Sequence, residues 1–149
     1  MKKTPIIVLA IALTACGNPD TPGGRAADSR HENFEQLGDT FKVVGDQLKS
    51  GSPDMAAIRK AASDIAATAP KLESWFPQGS SKADGLRTHA LQAVWDKPDE
   101  FKQAAAKFVD EANAFKALAD SGDAAAVGNG MKALGGACKG CHDKFKEAD

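Results

Sequence analysis

Two thiols three residues apart, followed at once by an imidazole, stand near the end of the chain as Cys138-Lys139-Gly140-Cys141-His142. This C-x-x-C-H arrangement is the pattern of covalent haem attachment. On a helix, positions i and i+3 rise from one face, so both thiols can reach two vinyl groups of one porphyrin. His142, four residues after Cys138, meets the iron from the same side. Other uses of the residues fit worse. A thioredoxin-like C-x-x-C needs a βαβ setting, and no strand pattern is visible. A zinc site needs four ligands, and the three Cys and three His of the chain leave no second pair at ligand spacing. A structural disulfide would leave His142 without a role. One covalent haem c is therefore the expected cofactor, with His142 as the axial metal ligand.

The elements that must carry this motif read as helices. The chain has 149 residues, enough for one domain, and 42% are hydrophobic, enough for a packed core. Ala dominates and Tyr is absent, which favours helix over sheet. Phe34, Leu37, Phe41, Val44 and Leu48 recur at helical spacing, with Asp28 or Ser29 as cap and Gly51 as stop. Ser52-Pro53 predicts a restart, Ser as cap and Pro at the first position. A second seam follows through Met55, Ile58, Ala62, Ile65, Ala69 and Leu72, with Pro70 expected to kink its last turn. Residues 73–97 hold both tryptophans and no sustained seam, which predicts a long, ordered connection. Pro98 opens a third helix through Phe101, Ala105, Phe108, Ala112, Phe115 and Ala119. After Asp120-Ser121-Gly122, the fourth carries Val127, Met131, Leu134, Cys138, Cys141 and Phe145. The expected fold is all-α, an antiparallel four-helix bundle with one long crossover. Its many core Ala positions leave room inside for a cofactor.

The N-terminus reads as an address. Met1-Lys2-Lys3 followed by the apolar run 6–13 is a secretory signal, too short to span a bilayer. Leu13-Thr14-Ala15-Cys16 resembles a bacterial lipobox, which makes Cys16 the lipidated first residue of the mature chain. The other reading is plain cleavage after Ala15, and it leaves a stray thiol in an oxidising compartment. Gly17 after the cysteine suggests sorting to the outer membrane, so the expected location is the periplasmic side of the cell envelope. Residues 16–27, rich in Gly and Pro, read as a flexible tether, and 28–149 as the domain. Loss of 1–15 leaves 17 basic against 20 acidic residues. There is no basic excess to neutralise nucleic acid.

The stretch Gly135 to Lys146 (GGACKGCHDKFK), on the last helix, closely resembles cytochrome c′, the class II c-type cytochromes, over residues 28–148. Arg30 with Phe34 four residues on, Trp75-Phe76-Pro77-Gln78-Gly79-Ser80 and Trp95 extend the resemblance. It implies that His142 is the proximal ligand and that Phe34 caps the distal side. Phe has no lone pair for iron, so the iron is expected five-coordinate and high-spin. Low-spin relatives offer a methionine from the first helix, and here Met stands only at 1, 55 and 131. The resemblance also implies a haem-side place for Lys146, whose other reading is a solvated charge favourable to the helix dipole. It implies a haem carboxylate contact for Arg30, whose other reading is an exposed first-turn residue. His31 lies beside this region as a second candidate iron ligand, but it points off the Phe34 stripe, and it and His89, in the loop, read better as surface or hydrogen-bonded histidines.

An open iron behind an apolar cap suits NO and CO, whereas bound O₂ wants a hydrogen-bond donor that Phe34 lacks. The leading expectation is a gas-binding haem protein that protects the envelope against nitrosative stress. The alternative is an electron-transfer cytochrome. No acid, base or nucleophile cluster points to an enzyme. The family often forms homodimers through its first two helices, and no surface signal in the sequence decides the matter. The redox partner is equally open.

Overall fold

The computed structural model describes residues 18–148. The signal at 1–15 and Cys16 lie outside the described residues. Among the described residues five α-helices follow in order: α1 (Pro22–Lys49), α2 (Met55–Thr68), the single turn α3 (Ala93–Asp96), α4 (Pro98–Ser121) and α5 (Ala124–Phe145). Short 3₁₀ stretches cover Ala69–Trp75 and Lys82–Asp84. The four long helices form the bundle, with α1 packed on α2, α2 on α4 and α4 on α5.

The seams supply the core as their periodicity requires. All six positions of the α4 seam are buried, as are Ile58, Ala62 and Ile65 of α2. Leu37 and Val44 of α1 are buried, whereas Phe34, Phe41 and Leu48 are only half-buried against the core. The α4–α5 contact is close because of Gly130. A Cβ there would meet the Leu118 side chain at 2.6 Å.

Three boundaries differ from the sequence expectation. α1 begins at Pro22, six residues before Asp28, so 22–27 is helix and not tether. The Thr21 hydroxyl caps it by accepting from the Gly24 N–H at 3.0 Å, and Pro22 needs no such partner. The glycines that suggested flexibility serve close packing instead. A Cβ on Gly23 would lie 1.9 Å from the Gly79 carbonyl oxygen, and one on Gly24 would lie 1.9 Å from that of Pro19. α2 is capped by Asp54, not Ser52. The Asp54 carboxylate accepts from the Ala56 and Ala57 N–H groups at 2.8 and 3.2 Å, while Gln47 holds the Asp54 N–H at 2.8 Å. Pro70 does not kink α2; it lies in the 3₁₀ segment that succeeds it. Among the described residues, no helix is long and apolar enough to cross a membrane.

Candidate functional site: an aromatic-walled cavity between α1 and α5

α1 and α5 face one another across a cavity of about 820 Å³, within the roughly 300–1,000 Å³ of cofactor and small-molecule sites. Phe34, Leu37 and Phe41 line it from α1, Leu72 and Phe76 from the 3₁₀ segment and its end, Phe101 and Phe108 from α4, and Phe145 from α5. The half-burial of Phe34 and Phe41 on α1 thus has a reason: their outer faces form the cavity wall. Edge-to-face ring contacts run along this wall. Phe34 meets Trp75 at 5.1 Å and Phe76 at 6.2 Å, Phe76 meets Phe101 at 4.8 Å, and Phe101 meets Phe145 at 5.3 Å. Each such pair contributes about 0.5–1.5 kcal/mol beyond burial.

Cys138, Cys141 and His142 line the α5 side. The two thiols are half-buried and free. Burial, and then the neighbouring Cys141, pushes the Cys138 thiol up to about 11; burial raises Cys141 as well. Both are therefore neutral at physiological pH and sit in the apolar wall without stranding a charge. His142 is exposed at the cavity edge. The Phe34 ring approaches its imidazole to 6.4 Å between centroids, at 70°. Neither Met55 nor Met131 lines the cavity. Met131 instead packs towards Gly45.

Arg30 is neither the exposed first-turn residue nor chiefly a group aimed into the cavity. It is buried at 3% exposure, because the earlier start of α1 places it two turns inside the helix. Nη1 donates to the Trp75 carbonyl at 3.1 Å and the Ser80 hydroxyl at 3.0 Å. Nη2 donates to the Ser80 carbonyl at 3.0 Å and the Thr88 hydroxyl at 2.8 Å. The guanidinium also lies over Phe76 and Trp95, at 4.8 and 5.7 Å from the ring centres. Burial lowers its pKa, yet an arginine remains charged at neutral pH. No carboxylate pairs with it among the described residues. Arg30 thus spends most of its donors on the crossover, although it also borders the cavity. Arg30→Met would take the guanidinium donors away from two carbonyls, while the Ser80 and Thr88 hydroxyls keep their bonds to Pro77 and Ala90. We expect a loss on the order of 3 kcal/mol, read as a lower urea midpoint, with amide exchange accelerating most in residues 76–92.

Lys146 follows α5 directly and lines the cavity. It forms an isolated antiparallel bridge with Ala90, flanked by Leu91 N–H to Phe145 O (2.9 Å) and Glu147 N–H to His89 O (2.8 Å). The chain end is thereby clasped to the crossover. The Glu147 carboxylate bonds Lys82 and lies 3.7 Å from His89 Nδ1. The Lys82 hydrogen bond, with the charges of Lys82 and His89, holds Glu147 below the usual carboxylate range. His31 borders the cavity but is an exposed side chain, with Nε2 3.4 Å from Glu35. His89 is likewise an exposed rim residue.

The sequence missed the cavity partners drawn from elsewhere. Phe101, Phe108 and Phe145 were visible as seam positions, but not as walls. Ser80 stood out only as the end of the Trp75-to-Ser80 stretch, with no role attached, and Thr88 carried no signal, since a hydroxyl in a loop is ordinary.

The residues present fit a haem. An apolar cavity of suitable size holds two neutral thiols one turn apart, an imidazole at its edge and a buried cation on its border. Fold and site together define a bundle-type c-type haem protein. The chain belongs to the cytochrome c′ family, whose model, described as Cytochrome C', matches residues 25–146. The cytochrome c′ of Pararhodospirillum photometricum is 40% identical over 118 residues, covering 79% of this chain and 93% of that one. The crystal structure of cytochrome c′ from Rubrivivax gelatinosus, 31% identical, superposes with a TM-score of 0.76 over 86% of this chain and 98% of its own. A variant of the cytochrome c′ of Alcaligenes xylosoxidans, solved as its nitric oxide complex, shares the fold at TM-score 0.76 and 22% identity, over 85% of this chain and 97% of its own. Like its family, this chain carries one covalently attached haem c.

Proposed function

We propose that this haem protein binds small neutral gases, NO and CO, at a five-coordinate high-spin iron. The observation that carries the reading is the Phe34–His142 pair. The α1 ring that approaches the candidate axial imidazole, at 6.4 Å, has no atom able to bind a metal. Among the described residues, no methionine lines the cavity either. Cys138 and Cys141 would hold the haem through thioether bonds, and His142 would supply a nitrogen ligand to its iron. When bound, the haem supplies an iron with one position open to a diatomic ligand, and one-electron redox chemistry. The chain's own part is to bind and to exclude. The apolar wall keeps water and anions away, and Phe34 provides no donor that would stabilise O₂. Arg30 holds the crossover in place, and Lys146 lies at the α5 end of the cavity. The nitric oxide complex of the Alcaligenes relative supports this reading.

The biological reading follows as part of the proposal: a lipoprotein anchored through Cys16 on the periplasmic side of the envelope, taking up NO as protection rather than acting as an enzyme. Homodimers through α1 and α2 go with it, Val43 of α1 being exposed. The test is the ferrous absorption spectrum before and after NO and CO. A five-coordinate spectrum that changes with both gases supports the proposal. A six-coordinate, low-spin spectrum indifferent to them rejects it in favour of electron transfer.

A further inference from the structure

Asn18 is only two residues beyond Cys16, yet it is already tied to the rim of the cavity. Its Nδ2 donates to Asp28 Oδ1 at 2.8 Å and to the Arg87 carbonyl at 3.1 Å, and its Oδ1 accepts from the Arg87 N–H at 2.6 Å. Asn18, Asp28 and Arg87 all border the cavity. The chain beyond has little slack. Thr21 N–H bonds the Pro19 carbonyl at 2.7 Å, and α1 starts at Pro22 with Gly23 pressed on Gly79. Two trans peptide units reach at most about 7 Å, so Cys16 cannot stray further than that from the Asn18 clasp.

We propose that the anchored protein sits with the mouth of its cavity against the lipid surface, held there by the Asn18 clasp. This rests on the lipidation of Cys16 proposed above. Acyl chains on Cys16 fix that residue at the bilayer, and the covalent reach brings the rim to the headgroups. The far end of the bundle, where α1 ends at Lys49 and α4 at Ser121, lies about 40 Å away along a 28-residue helix. The rim also carries Lys82, Arg87 and Lys146 beside Asp28 and Glu147, cations that can meet the phosphates of phospholipid headgroups. The consequence for function is direct: small, weakly polar diatomics such as NO and CO dissolve in hydrocarbon, and the mouth would receive them from the membrane.

The experiment uses the mature, haem-loaded lipoprotein on vesicles of phosphatidylethanolamine and phosphatidylglycerol. Single cysteines are introduced as Arg87→Cys at the rim or Ser121→Cys at the far end, and their rates of reaction with a bulky maleimide are measured. Each is compared with the same variant carrying Cys16→Ser, free in solution. Anchoring should slow the rim site several-fold and leave Ser121→Cys unchanged. Adding Asn18→Ala, with anchoring retained, should erase most of that contrast. Radiolabelled palmitate incorporation separates the two ideas. Labelled protein with both sites slowed alike, or neither, overturns the orientation while anchoring stands. Full contrast persisting in Asn18→Ala overturns the clasp as its cause. Absence of label in the wild type overturns anchoring and orientation together.

Discussion

Replacing Cys138 and Cys141 together by Ala is expected to abolish covalent haem completely. Wild-type protein from a host that matures c-type cytochromes should keep its haem through denaturation and stain for it on a gel. The double variant should not, and each single variant should retain at most one thioether. The structural consequence is as large as the chemical one. The cavity measures about 820 Å³, and residual voids cost about 24 cal/mol per Å³. A wholly dry void of that size would cost on the order of 20 kcal/mol, above the roughly 5–15 kcal/mol by which domains are stable. The double variant must therefore admit water to the cavity or draw α1 in towards α5. Either way, a strongly lowered melting temperature and weakened near-ultraviolet dichroism are expected. A wild-type protein that does not stain for haem would sink the assignment of this motif.

The second large effect lies across the cavity. The Phe34 ring stands edge-on to Trp75 at 5.1 Å and approaches His142 at 6.4 Å, so in the proposed binding mode a gas approaching from that side would have to displace it. Wild-type association with CO and NO should be slow, and Phe34→Ala should accelerate it. Deleting a buried Phe costs about 3–5 kcal/mol. Phe34 is half-buried, so the loss should fall at or below the lower end, and a melting curve must show the variant folded before rates are compared. Phe34→Met should act in the opposite direction on the spectrum. Its thioether can reach into the same space and bind iron, shifting the protein towards low spin and blunting gas binding. If both variants bind CO at the wild-type rate, Phe34 does not guard the site.

What the sequence by itself determined is what repeats locally. The i, i+3, i+4 placement of Cys138, Cys141 and His142 is set by helical geometry alone, and so are the four seams, because a 3.6-residue period needs no distant partner. The turn at Asp120-Ser121-Gly122 was equally local, with Gly122 taking the left-handed cap at φ 77°. Only the tertiary structure decided the rest. Arg30 read as a haem-carboxylate contact or else an exposed helix-start residue, and its crossover partners were hidden because Trp75, Ser80 and Thr88 lie 45 to 58 positions away. Gly23 and Gly24 looked like tether because nothing in the sequence shows that Gly79 and Pro19 carbonyls press against them. Ser52 and Asp54 are both good caps by type, and the Gln47 amide seven residues earlier favoured Asp54 by holding its N–H. The clasp from Asn18 to Arg87 spans 69 positions. Polar side chains such as these have many equivalent partners in an unfolded chain. Which one they bond depends on the surfaces that the apolar seams bring together, and that choice is made only when the bundle closes.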